Sequence, residues 1–197
     1  MDLKNWKWIN ATDAKMEGEE LVLYAPAETN YFNDPEPING LAGIPQGLAP
    51  VLYTNVEGDF VMRAKVTPSL DTQYDAAGLM VIQDDTMWAK AVYEKTDFGT
   101  NAIVCVVTDR ISDDANGCNI DQDSIWLQMA RIDNTFVVHY SLDGETYYLV
   151  RIFTLPVDKE VKVGLVAQCP EGKGNYHRFG EVSIESKTLS NIRAGGM

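Results

Sequence analysis

Residues Tyr74 to Glu94 read YDAAGLMVIQDDTMWAKAVYE. This pattern predicts two strands on either side of the polar turn Gln83-Asp84-Asp85-Thr86. The first, Ala76 to Gln83, is apolar almost throughout, as expected of a strand buried on both faces. The second alternates: Trp88, Lys90, Val92 and Glu94 fall on one side, and Met87, Ala89, Ala91 and Tyr93 on the other. Successive side chains of a strand point to opposite faces, so each set belongs to its own face of a sheet. One face therefore carries an aromatic ring, a cation and a carboxylate in a row, with successive positions about 6–7 Å apart.

The same period-two reading extends outward. Asp59 to Pro68 alternates, with Phe60, Met62, Ala64 and Val66 inward and Arg63, Lys65 and Thr67 outward. Glu20–Ala25, Thr29–Asp34, Val51–Tyr53, Asn101–Thr108, Ile125–Ile132, Thr135–Ser141, Thr146–Thr154, Val161–Gln168 and Tyr176–Glu185 read as further strands. Asp143-Gly144 predicts a tight hairpin turn. Asn39 to Pro50, rich in Gly and Pro, predicts a long irregular loop, either a cover for a site or a simple connection. Asp109 to Ser124 reads as a polar, acidic loop, and the tail after Ser190 as frayed. Trp6 and Trp8, with Ile9, form an apolar opening expected to dock on the rest of the chain. No stretch has helical period. The prediction is an all-β antiparallel sandwich, with residues 1–197 forming a single domain.

The totals narrow the function. A formal net charge of −13 over 197 residues leaves no basic face for phosphates. Neither nucleic acid nor an anionic membrane surface is an expected partner, and no apolar run reaches the ~18 residues of a membrane helix. Cys105, Cys118 and Cys169 form no CxxC pair, which speaks against a zinc site and fits reduced thiols in a cytoplasmic protein. The opening MDLKNWKWIN lacks the apolar centre of a secretory signal. No phosphate loop, dinucleotide fingerprint or Ser-His-Asp order is present, so no cofactor is expected.

Spaced pieces of the sequence carry a family resemblance. They include Phe32 to Pro35, Ala49-Pro50-Val51-Leu52-Tyr53, Glu57-Gly58-Asp59-Phe60 and Gln73 to Val81. Trp88-Ala89-Lys90 with Glu94, Val107-Thr108, Trp126-Leu127, Tyr140 to Glu145, Val163-Gly164-Leu165 and Pro170-Glu171-Gly172 continue the series. Together they resemble the YesU-type family of unknown function, which also includes a yeast protein linked to enolase regulation. The resemblance implies a concanavalin A-like jelly roll of two antiparallel sheets with a concave face, a fold shared with lectins, carbohydrate-binding modules and glucanases. The chain departs from the family in one place. Where members carry a Ser-Asp-Trp-Ser-like element, it has Ser112-Asp113-Asp114-Ala115, without the aromatic residue.

Four functional readings follow. In the first, the concave face binds a carbohydrate: Trp88 stacks on a ring, Lys90 and Glu94 orient hydroxyls, and Asp75 assists from the neighbouring strand. Trp126 lies nearby in this reading, with Arg131 and His139 as more distant candidates. In the second, a glycoside hydrolase uses Glu94 and Asp75 as its two carboxyl groups. The paired glutamates that jelly-roll glucanases carry on one strand are absent, since Glu94 stands alone on its own. In the third, Asp113 to Asp123 holds calcium, but its spacing does not match the EF-hand loop, which leaves a solvated acidic segment and no predicted metal. In the fourth, the chain is a protein-interaction module using its tryptophan-rich opening. His139 and His177 are too few for a metal cluster.

Overall fold

A computed structural model describes residue 3, residues 5–34 and residues 47–195. Among these, every regular element is a strand, and no helix is long and apolar enough to cross a membrane. The strands are β1 (Lys7–Ile9), β2 (Ala14–Glu17), β3 (Glu20–Ala25), β4 (Val51–Glu57), β5 (Phe60–Thr67), β6 (Ala76–Asp84) and β7 (Met87–Lys95). They continue with β8 (Asn101–Asp109), β9 (Ile111–Asn119), β10 (Ile125–Ile132), β11 (Thr135–Ser141), β12 (Tyr148–Thr154), β13 (Glu160–Gln168) and β14 (Asn175–Glu185). They form two seven-stranded antiparallel sheets, ordered β1-β4-β13-β6-β7-β8-β9 and β12-β11-β10-β5-β14-β3-β2. The expected all-β sandwich is observed, with each sheet joined in its middle by a strand from late in the chain.

Alternation decides which side chains meet between the sheets. Leu79, Val81, Ala91, Tyr93, Ile103, Val163 and Leu165 of the first sheet pack against Phe60, Met62, Leu127, Met129, Phe136 and Phe179 of the second. The opposite face of the first sheet is also apolar. Met80, Ile82, Trp88, Val92, Val104 and Val166 form a separate cluster there, beneath Tyr31 and Ala49. This is why β6 has no polar face. Two glycines of this sheet leave no room for a side chain against the neighbouring strand. A Cβ on Gly78 would collide with the Ala91 carbonyl oxygen and lie 2.7 Å from Val92 Cα. One on Gly164 would collide with the Leu52 oxygen and lie 2.7 Å from Tyr53 Cα.

Four expectations change. Thr29–Asp34 is not a strand but a strap across the outer face of the first sheet; Thr29 makes only an isolated bridge to Cys169. The acidic stretch forms β9, which pairs with β8 as the sheet's edge; pairing needs only backbone groups there, and charged side chains suit an edge. Most of the segment weighed as a calcium loop, for which no metal was predicted, is thus strand. The Asp143-Gly144 turn belongs to a longer connection between β11 and β12, in which Asp143 Oδ1 accepts the N–H groups of Glu145 and Thr146, both at 2.8 Å. The tail is docked: Leu189 and Ile192 pack on Val61, Ala130 and Val137, and Gln128 Nε2 donates to the Gly195 oxygen at 3.1 Å. Trp6 and Trp8 pack on the main core as expected. Most of the predicted Asn39–Pro50 loop, residues 39–46, lies outside the described residues.

Candidate functional site

The outer face of the first sheet ends in a small polar pocket. Register places its parts. Glu94 of β7 faces Ala76 of β6, which in turn faces Gln168 of β13, and one row of side chains results. Lys90 lies four residues earlier on β7 and faces the same way, and Lys90 Nζ donates to Gln168 Oε1 at 2.8 Å. Gln168 Nε2 donates onward to the Tyr74 carbonyl at 3.1 Å. Asp114, brought opposite Val106 by the β8–β9 pairing, closes the far side. Val104 and Val106 provide an apolar floor, and Asn30 and Phe32 of the strap and the Tyr74 side chain complete the walls. The pocket, open to solvent on one side, has a cavity volume of about 50 Å³, room for about three or four water-sized groups.

The electrostatics of this pocket are unusual for a surface. Lys90 is 2% exposed and Glu94 8%. Among the described residues neither finds an ion-pair partner within 4.0 Å. Burial lowers the Lys90 ammonium below its ordinary value, against the pull of Glu94 and Asp114. Burial likewise raises Glu94 well above the carboxylate range, an effect that nearby Lys90 opposes and Asp114 and Asp97 reinforce. Asp114 is exposed along β9, but the burial of its carboxyl toward the pocket is the largest cause of its upward shift, which Lys90 opposes. Tyr74 adds backbone strain: its φ of 64° is in the left-handed region that a bulky residue seldom occupies.

Of the residues expected at the site, the structure brings Lys90 and Glu94 together and separates the rest. Trp88 is on the predicted face but wholly buried, edge-on to Tyr31 at 5.5 Å between centroids. It cannot offer a stacking plane, because the strap covers it. Asp75 precedes Ala77 and Leu79 in the core-facing alternation, so it lies on the opposite face of the sheet from Glu94. Its Oδ2 accepts the Thr72 N–H at 2.7 Å. The absent Cβ of Gly172 would lie 2.5 Å from Cys169 Sγ, 2.6 Å from Thr72 Oγ1 and 3.5 Å from Asp75 Oδ1. Asp75 thus tightens one end of the sandwich, and the Glu94–Asp75 carboxyl pair is not assembled. Asp75→Ala is expected to cost about 1–3 kcal/mol in denaturant unfolding, the price of a lost charge-assisted hydrogen bond, with ligand affinity unchanged. Lost affinity at full stability would return Asp75 to the site.

The other three candidates lie on the second sheet or at its end. Trp126 sits beneath Lys65, whose Nζ is 4.9 Å from the ring centroid, and donates to Glu181 at 3.1 Å. Arg131 caps one end of the sandwich by donating to the carbonyls of Asp133, Lys159 and Asp158 at 2.5, 3.1 and 2.8 Å. His139 is buried, with Nδ1 3.1 Å from Gln128 Nε2. Sequence reading missed Tyr74, Asp114, Gln168, Asn30 and Phe32 as pocket residues. Only the parity of Gln168 along β13 could have pointed to its face.

Residues 8–187 match the family described as "Protein of unknown function (DUF1349)". The chain belongs to DUF1349. This member is 25% identical over 185 residues to "Regulation of enolase protein 1" of Saccharomyces cerevisiae, covering 93% of this chain and 90% of that protein. A crystal structure of a functionally unknown protein from Saccharomyces cerevisiae superposes with a TM-score of 0.85 at 25% identity, over 96% of this chain and 100% of that one. The carbohydrate-binding module CBM66 from Bacillus subtilis superposes with a TM-score of 0.57 at 13% identity, over 92% and 96% of the two chains. The DUF1349 chain is thus a concanavalin A-like jelly-roll sandwich.

Proposed function

We propose that this DUF1349 chain acts as a single carbohydrate-binding domain, and that the pocket between Lys90, Glu94, Gln168 and Asp114 is where it holds sugar hydroxyls. The observation that carries this reading is a buried ammonium and a buried carboxyl that line one cavity without pairing to each other. Buried charges ordinarily find partners. Here Lys90 has a neutral acceptor in Gln168 Oε1 but no counter-ion, so its remaining donors and the Glu94 carboxyl are open to groups that enter the pocket, and a polyol supplies both kinds. One hydroxyl accepts from Lys90 while its neighbour donates to Glu94. Tyr74 and Phe32 supply the aromatic walls that Trp88 was expected to provide. The likeness to CBM66 supports the same ligand class.

A glycan array, followed by calorimetric titration of the best hit, tests this. Lys90→Met and Glu94→Gln should each weaken binding about 10- to 100-fold, the worth of a charged hydrogen bond. Trp126→Ala, on the other sheet, should leave binding intact. No bound glycan, or variants that bind as well as the parent, would refute the reading. A regulatory, protein-binding role is the second reading. It is favoured by the name of the yeast relative and by Phe98, which is 81% exposed in the turn between β7 and β8. A partner whose binding survives Glu94→Gln but not Phe98→Ala would favour it.

A further inference from the structure

The strap that buries Trp88 also limits what the pocket can hold. A glycan lying across the sheet would need the outer face around Trp88, Met80 and Ile82. That face is closed: the three residues are 0%, 0% and 4% exposed. The strap is also fixed at both sides. Asn33 N–H donates to Ser112 Oγ at 2.8 Å, and Ser112 N–H donates back to the Asn33 carbonyl at 2.9 Å. Asn33 Nδ2 donates to the Asp85 carbonyl at 3.0 Å. At its other end the Asn30 carbonyl accepts the Leu48 N–H at 3.1 Å. Asn30 and Phe32 of this same strap form a wall of the pocket, so a ligand that enters meets a barrier and not a through-channel. The pocket's 50 Å³ admits about three or four water-sized groups, which matches the hydroxyl-bearing edge of one ring.

Resting on the sugar-binding reading, we infer that the pocket takes one terminal sugar unit with two adjacent free hydroxyls and rejects the interior of a chain. The Glu94 carboxyl, held protonated by burial, donates its O–H to one hydroxyl oxygen and accepts a hydroxyl proton on its carbonyl oxygen, and Lys90 needs a lone pair beside it. A unit within a chain can also present two adjacent hydroxyls, as a 1,4-linked xylose does, but it carries neighbours on both sides, one of which would meet the strap wall. A terminal unit has one free edge and one neighbour, and that neighbour can leave past Asp114, which is exposed at the rim.

The test uses the wild-type chain, titrated with linear oligomers of glucose, xylose and arabinose from dimer to hexamer, and with the matching polysaccharides. The expected result for a sugar that binds is an affinity per chain that stays within about twofold from dimer to hexamer. One protein should bind per accessible chain end, and O-methylation of the terminal unit should abolish binding. Affinity that climbs about tenfold or more with length, or several proteins bound along one polymer, would overturn the terminal-unit inference and leave sugar binding standing. Silence on every sugar would remove both. Monosaccharide competition at similar affinity would support the inference.

Discussion

Gly78→Ala is expected to destabilise the chain by about 3 kcal/mol or more, lowering its melting temperature by roughly 6–12 °C for a protein of this size. The added methyl has no free volume. It would collide with the Ala91 carbonyl oxygen, an atom fixed in the β6–β7 ladder, and approach Val92 Cα at 2.7 Å. A flexible side chain could move aside, but paired backbone cannot do so without breaking the ladder. Gly164→Ala should behave alike, because its methyl meets the Leu52 oxygen in the β13–β4 ladder. Gly99→Ala is the informative control. Gly99 has a φ of 74° but nothing within 4 Å of its missing Cβ, so it isolates conformational strain, about 1 kcal/mol. If Gly78→Ala cost no more than Gly99→Ala, the close approach of β6 and β7 would not be a constraint on the fold.

The second large effect concerns pH. Glu94 titrates at a higher pH in the folded chain than its ordinary value of 4.5 because burial penalises its charge. A carboxyl raised in this way stabilises the fold fully below its unfolded value, and that contribution is lost as pH rises through its folded value, about 8. The groups facing it are Lys90, which opposes the shift, and Asp114 and Asp97, which add to it. Lys90 itself is depressed, so its contribution runs the other way and is regained only as pH approaches 10.5. Between pH 4.5 and 8, wild type should therefore lose stability relative to Glu94→Gln, by on the order of a few kcal/mol. Denaturant unfolding of both proteins across that range reads the difference directly. Parallel curves would mean that Glu94 is solvated and that the pocket is wetter than its geometry indicates.

Much of this was legible in the residues. Alternation from Met87 to Lys95 placed Trp88, Lys90, Val92 and Glu94 on one face, and the structure agrees, because a strand leaves no other choice. What alternation cannot say is what covers a face. Trp88 is buried by Tyr31, a contact across 57 sequence positions (88 − 31) that no local pattern encodes. Asp75 was misplaced for a different reason. It sits one residue before the strand, where a turn held by Thr72 can direct a side chain either way. β9 was missed because edge strands select for backbone pairing and for charges that discourage a further partner, which makes Asp113 and Asp114 look like loop residues. Its strand character in turn brings Asp114 to the pocket.

The order of the strands also bears on how the chain is made. Among the described residues, β13 bridges β4 and β6, and β14 bridges β5 and β3. A nascent chain that ends at Lys159 therefore holds four half-sheets with open inner edges and an uncovered apolar interior. Such a chain should be cut rapidly by protease and held by chaperones, whereas resistance would mean that the halves pair early. Synthesis of the last few dozen residues closes both sheets almost at once, so folding should be late and abrupt rather than stepwise. Fusions that hold back residues 160–185 would then keep the whole protein soft, a vulnerability set by connectivity rather than by any one contact.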